Sequence, residues 1–285
     1  MSCEPEWDDE VDVVCTDSGM AGLATAISAI DGDAEVFLAD AHDEPRPGGT
    51  GGAGRTWFDF GDDAATAEYR NQLTADLDLA ALAQCGADLP VRLAGEAVPA
   101  RRRPRPPFEG SRLREWTAEC IASPSGYLYT RVTDWTSEMT ECGPGELVMV
   151  SEIGSITPDS DDPAGSVVEL LTAEVLDRGL PPHRVRRFDR LVFEEGTVVG
   201  AVFSTEDGPL AIRARHGVLV CRQAPPGGDD FYRRLPDDAD LRIALIGKDG
   251  SRFGRVELLT SNEEIAAIAG AVPQQADGAV TISRS

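Results

Sequence analysis

The run Asp17-Ser18-Gly19-Met20-Ala21-Gly22 stands where an apolar, β-branched stretch at 11–16 gives way to an alanine-rich stretch at 23–30. A glycine turn between a strand and a helix suits one chemistry above others. The first amides of the helix and its dipole stabilise a diphosphate, and the glycines allow a tight turn, close backbone approach and close helix–strand packing. Asp40 closes the next apolar run, at 35–39. There its carboxylate can accept hydrogen bonds from a ribose hydroxyl. Gly48, Gly49 and Thr50 follow in a glycine-rich loop. The order along the chain makes Asp17, Gly19, Gly22 and Asp40 the candidate cofactor-binding residues, with Gly48, Gly49 and Thr50 beside them.

The usual pattern is G-x-G-x-x-G, and its first glycine is replaced here by Asp17. A carboxylate beside a diphosphate is repulsive. At an effective dielectric near 20, two unit charges ~4 Å apart cost roughly 4 kcal/mol, which is about a thousand-fold in affinity. A non-glycine side chain there also strains the turn if the turn needs a glycine conformation. Alternatively, Asp17 caps the following helix. Both readings expect weakened or lost cofactor binding.

Other reactive residues are sparse. His42, His183 and His216 are the three histidines, and no Ser/His/Asp signature surrounds them. An NAD-type dehydrogenase fits less well, because it would need an intact fingerprint and an identifiable catalytic domain. Tyr127, Tyr129 and Arg131 lie in a compact run of hydroxyls at 123–131. Tyrosine can serve as a general acid, but a strand with one tyrosine facing the core is the simpler expectation. Arg101, Arg102, Arg103 and Arg105 alternate with prolines and read as an exposed connector, with an acidic partner as the functional alternative. None of the six cysteines has CxxC spacing, which argues against a structural zinc site. Cys15 and Cys221 fall in apolar runs and are expected to be buried thiols.

Placing these residues requires a βαβ unit at 11–40 with its two strands in one parallel sheet. Helices are expected at 62–84, 111–122, 167–176 and 263–269. Strands are expected at 146–156, 184–188, 241–246 and 256–259. A β-meander at about 189–214 is marked by the hairpin pairs Glu195-Gly196 and Asp207-Gly208. The run 217–221 reads as a further buried strand.

The chain has 285 residues and a net charge of −24, with 26 Lys and Arg against 50 Asp and Glu. So acidic a protein is a poor nucleic-acid binder. No stretch is apolar and long enough to span a bilayer, and residues 1–10 lack the basic and apolar segments of a secretion signal. A cytoplasmic protein is therefore expected.

The residues from Glu10 to Asp40, the Gly48-Gly49-Thr50 segment, and Glu195-Gly196-Thr197-Val198-Val199-Gly200-Ala201-Val202 resemble the FAD-binding family that includes fumarate reductase flavoprotein subunits and 3-ketosteroid Δ1-dehydrogenases. The resemblance implies an α/β, Rossmann-like FAD-binding fold with a parallel sheet and β-meander. It also implies a discontinuous FAD-binding-like domain at 1–60 and 165–225, an inserted segment at 61–164, and a C-terminal segment at 226–285 packed on the core. The departures are specific. Where the family has Ala-Thr-Gly-Gly, this chain reads Val220-Cys221-Arg222-Gln223-Ala224-Pro225. No family-like Gly-Asp segment stands near the end, and there is little room for a full substrate cap domain. The expectation is a flavoprotein-like component of an oxidoreductase system, dehydrogenase- or reductase-like if active, with FAD weakened or lost. The alternative is a non-catalytic scaffold or partner subunit. A protein partner and a homo-oligomer both remain open.

Overall fold

The computed structural model describes residues 5–41, 57–58, 63–83, 89–95, 97–98, 109–132, 137–142, 146–159, 161–222, 232–236, 239 and 241–269. Its strands are β1 (Asp9–Cys15), β2 (Val36–Ala41), β3 (Val91–Leu93), β4 (Gly126–Tyr129), β5 (Glu138–Cys142), β6 (Glu146–Ile156), β7 (His183–Val185), β8 (Arg187–Glu194), β9 (Thr197–Ser204), β10 (Pro209–Val220), β11 (Leu241–Gly247) and β12 (Phe253–Thr260). Its helices are α1 (Met20–Asp31), α2 (Ala64–Leu73), α3 (Leu79–Leu82), α4 (Glu109–Ala122), α5 (Pro163–Asp177) and α6 (Glu263–Ile268). The fold is α/β and strand-rich.

The strands join in the order β5-β6-β11-β12-β4-β10-β1-β2-β7, with β3 also on β12 and the β8–β9 hairpin on β10. The expected parallel unit is present: β1 pairs in parallel with β2, Val13 opposite Val36 and Cys15 opposite Leu38. The sheet as a whole is mixed, which corrects the expectation of a parallel one. Parallel pairing joins β1 to β10, β2 to β7 and β3 to β12, while β4, β5, β6, β11 and β12 add antiparallel pairs. The reason lies in the connections. A short turn such as 248–252 returns the chain antiparallel, whereas parallel neighbours need a long crossover such as α1.

Side-chain alternation divides the core between the two faces. Val13, Cys15 and Leu219 pack on one face with Leu23, Ile27, Val167 and Leu171 of α1 and α5. Val14, Val218 and Val220 pack on the other with Trp116 and Cys120 of α4 and with Phe203 of the meander. Helix α5 begins earlier than its apolar spacing predicts because Asp162 caps it, accepting from the Gly165 N–H, with Pro163 in the first turn. The helix expected over 62–84 is two helices. Asp76, at φ 68, sits in the turn between them.

The meander forms as read. Glu195 (φ 49) and Gly196 (φ 78) both lie in the left-handed region, as a type I′ hairpin turn requires. The runs 210–213 and 217–221, expected as separate strands, belong largely to the single strand β10. Gly217, at φ 150, lets that strand change partners: β9 flanks its first half and β4 its end, while β1 runs along its other edge.

Candidate functional site

β1 ends at Cys15, and the Thr16 N–H donates to the Leu219 carbonyl at 3.0 Å. The chain then turns through Asp17 and Ser18 into Gly19, the N-cap of α1, whose carbonyl accepts from the Leu23 N–H at 2.9 Å. A Cβ on Gly22 would lie 1.9 Å from the Asp17 carbonyl oxygen and 3.2 Å from the Cys221 Sγ. Gly22 thus has the packing role its position predicted: it lets α1 start hard against the end of the sheet.

Asp17 is buried, and its Oδ1 accepts the Gly19 N–H at 3.0 Å. Its backbone is not among the positive-φ residues, so the side chain strains nothing. Nor does it cap the helix in the usual way, because Gly19, which has no side chain, is the N-cap. Instead the carboxylate sits two residues before the N-cap and accepts the amide of the N-cap residue itself. No acidic residue occupies the first turn of α1. Asp17 therefore supplies a negative charge at the positive end of the helix dipole. Across the turn, the Ser18 Oγ donates to Asp40 Oδ1 at 2.8 Å, so Asp40 is tied to the same loop. The structure thus brings Asp17, Gly19, Gly22 and Asp40 together. Gly48, Gly49, Thr50, His42, the arginines at 101–105 and residues 223–225 lie outside the described residues.

The chemistry available around this turn is limited. Burial pushes the Cys15 thiol up to about 12. Burial first, and the Asp17 carboxylate second, push Cys221 well above the ordinary thiol range. Both thiols therefore stay protonated at neutral pH and are poor nucleophiles. Among the described residues no group of three His, Cys, Asp or Glu side chains is placed to hold a metal. His183 stacks on Phe37 at 4.7 Å, and His216 lies within β10, 3.3 Å from Asp12. Tyr127 and Tyr129 are in β4, as expected of a strand, but they are two residues apart and so share a face. The expectation of a single core-facing tyrosine overlooked that spacing.

No protein-family model and no curated protein matches the chain. Solved structures that align with it include a 3-ketosteroid-delta4-(5alpha)-dehydrogenase from Rhodococcus jostii RHA1 in complex with 4-androstene-3,17-dione, at 20% identity over 76% of this chain and 46% of that one, TM-score 0.31. A triple mutant of a flavin-dependent brominase aligns at 14% identity over 72% of this chain and 37% of that one, TM-score 0.28. The open conformation of a flavocytochrome c3 fumarate reductase aligns at 16% identity over 73% of this chain and 33% of that one, TM-score 0.30. The chain spans less than half the length of each. Scores this low decide neither fold nor function. Among the described residues, no helix is long and apolar enough to cross a membrane.

The backbone frame fits a dinucleotide: strand, glycine turn, helix N-terminus and acidic strand end are all present. Within it, the Gly19 amide is already held by the Asp17 carboxylate.

Proposed function

We propose that the chain is a flavoprotein-like component of an oxidoreductase system whose dinucleotide turn is closed by its own Asp17. FAD then binds weakly or not at all, and the chain alone has little activity. The observation that carries this reading is the bond from the Gly19 N–H to the buried Asp17 carboxylate. A diphosphate entering the turn must displace that carboxylate or sit beside it, against like-charge repulsion of roughly 4 kcal/mol at ~4 Å. Gly19, Gly22 and Asp40 are the residues that would line the site. Gly48, Gly49 and Thr50 are included on sequence alone.

The non-catalytic alternative, a scaffold or partner subunit, draws support from the Ser18–Asp40 bond, which engages the carboxylate that a ribose hydroxyl would use. Titrating FAD into the native chain, Asp17→Asn and Asp17→Gly, followed by flavin fluorescence, separates the readings. The flavoprotein reading expects affinity to rise in that order, as charge and then side chain are removed. No binding by any of the three supports the scaffold. Equal binding by all three shows that Asp17 does not oppose the cofactor.

A further inference from the structure

A cavity lies on the α1 face of the sheet, away from the glycine turn. Its volume is about 110 Å³. The α1 residues that reach it, Thr25, Ser28 and Ala29, are in the middle and second half of the helix. At 1.5 Å per residue, Ser28 is roughly 14 Å along the axis from Gly19. The floor is apolar: Val13, Leu219 and Leu245 face it from β1, β10 and β11. Val132 stands at its edge with 52% of its surface exposed, giving the opening an apolar lip.

The uncharged polar side chains of this cavity are hydroxyls. Thr25 Oγ1 and Ser137 Oγ are buried and have no hydrogen-bond partner among the described residues. Leaving such groups unsatisfied is costly, and each is a vacant donor and acceptor on the cavity wall. Charged residues reach the lining, but their heads are engaged elsewhere. The Lys248 Nζ pairs with Glu146 at 2.9 Å, Arg131 donates to the Arg215 carbonyl at 2.7 Å, and Arg252 donates to the Tyr69 hydroxyl at 3.0 Å. Among the described residues no carboxylate lines the cavity.

We propose that this cavity is a binding site for a neutral, single-ring organic molecule carrying one hydroxyl or carbonyl oxygen. At about 110 Å³ the cavity is smaller than the engineered apolar cavity of about 150 Å³ that accepts benzene, so a single ring is the upper limit, with its polar end at the open mouth. The apolar floor takes the ring, and the Thr25 and Ser137 hydroxyls meet the oxygen.

Gly247 offers a clean way to close the site. It lines the cavity on the same strand face as Leu245, two residues away, and a Cβ there meets nothing within 4 Å. Gly247→Leu should fill the space without disturbing the backbone, and Thr25→Val removes one hydroxyl at constant shape. The test is calorimetric and NMR titration of the full chain with phenol, benzene and benzoate, with thermal unfolding confirming that each variant is folded. Phenol should bind in preference to both other probes, Thr25→Val should weaken it roughly five-fold, and folded Gly247→Leu should not bind it. No binding of phenol to the native chain overturns the proposal, as does unchanged binding by Gly247→Leu. Benzene or benzoate binding as tightly as phenol overturns the assigned chemistry.

Discussion

Among the described residues, two carboxylates of this acidic chain are buried. Asp17 accepts the Gly19 amide, and Glu257 is held by two guanidiniums: Arg92 donates from Nε at 2.6 Å and from Nη2 at 3.0 Å, and Arg255 from Nε at 2.7 Å. Burial alone would raise the Glu257 carboxyl, but Arg92 and then Arg255 overcome it and hold it below its ordinary 4.5. The folded value is therefore the lower one. The stabilisation is complete above the ordinary value and is lost as pH falls through the depressed one. Removing one partner of a buried ion pair leaves the other uncompensated. Glu257→Gln is expected to lower stability by about 3 kcal/mol at neutral pH. The loss should shrink on acidification, read from urea unfolding at several pH values. The sequence exposed Asp17 as an anomaly because a glycine pattern defines what should stand there. It could not show where the carboxylate points, since that depends on the Gly19 amide being within reach. Glu257 carried no signal, because its partners come from β3 and from its own strand, β12, and only folding brings the first of them close.

At the scale of elements, the βαβ unit and the meander were legible because local residues decide them. Apolar alternation, a glycine turn and two hairpin pairs suffice. The mixed pairing was not legible, since strand direction depends on which strands meet. β4 is an example: its four residues bridge β10 and β12, and neither partner adjoins it in sequence. β3 and β5 were missed for a related reason. They are three and five residues long, too short for periodicity to separate them from loop. The two strand runs at 210–213 and 217–221 looked independent because Gly217 interrupts the apolar pattern. In the fold that glycine lets one strand change neighbours. Where α1 meets the sheet the tolerance is smallest. Gly22→Ala would place a methyl 1.9 Å from the Asp17 carbonyl, and relief requires moving α1 or the strand end. A destabilisation near the upper end of about 1–3 kcal/mol is expected, measured by denaturant unfolding. Gly247→Ala, in open space, should be close to neutral by comparison.

Across the whole molecule, one sheet runs through all the segments that the sequence had separated. β4, β5 and β6 join β11 and β12 on one side of β10, and β1, β2 and β7 lie on the other. The isolated chain is expected to show no appreciable flavin-dependent turnover of ketosteroids or short dicarboxylates with artificial electron acceptors. Positioning of reactants alone contributes about 7–11 kcal/mol to such catalysis, and the thiols beside the turn are held protonated. Robust turnover by the chain alone would refute this, and activity only with a co-purifying protein would point to a subunit. The long-range pairing of β1 also governs how the molecule comes into being. Val13 and Val14 find their β10 partners Gly217 and Val218 only after about two hundred further residues have been made, which at ~5–20 residues per second takes roughly 10–40 s. Throughout that interval the nascent chain carries an apolar strand with an open edge and no native neighbour on that side, the kind of segment that aggregates. β1 is thus made well before the strand that secures its second edge, and that interval is a period of risk during synthesis.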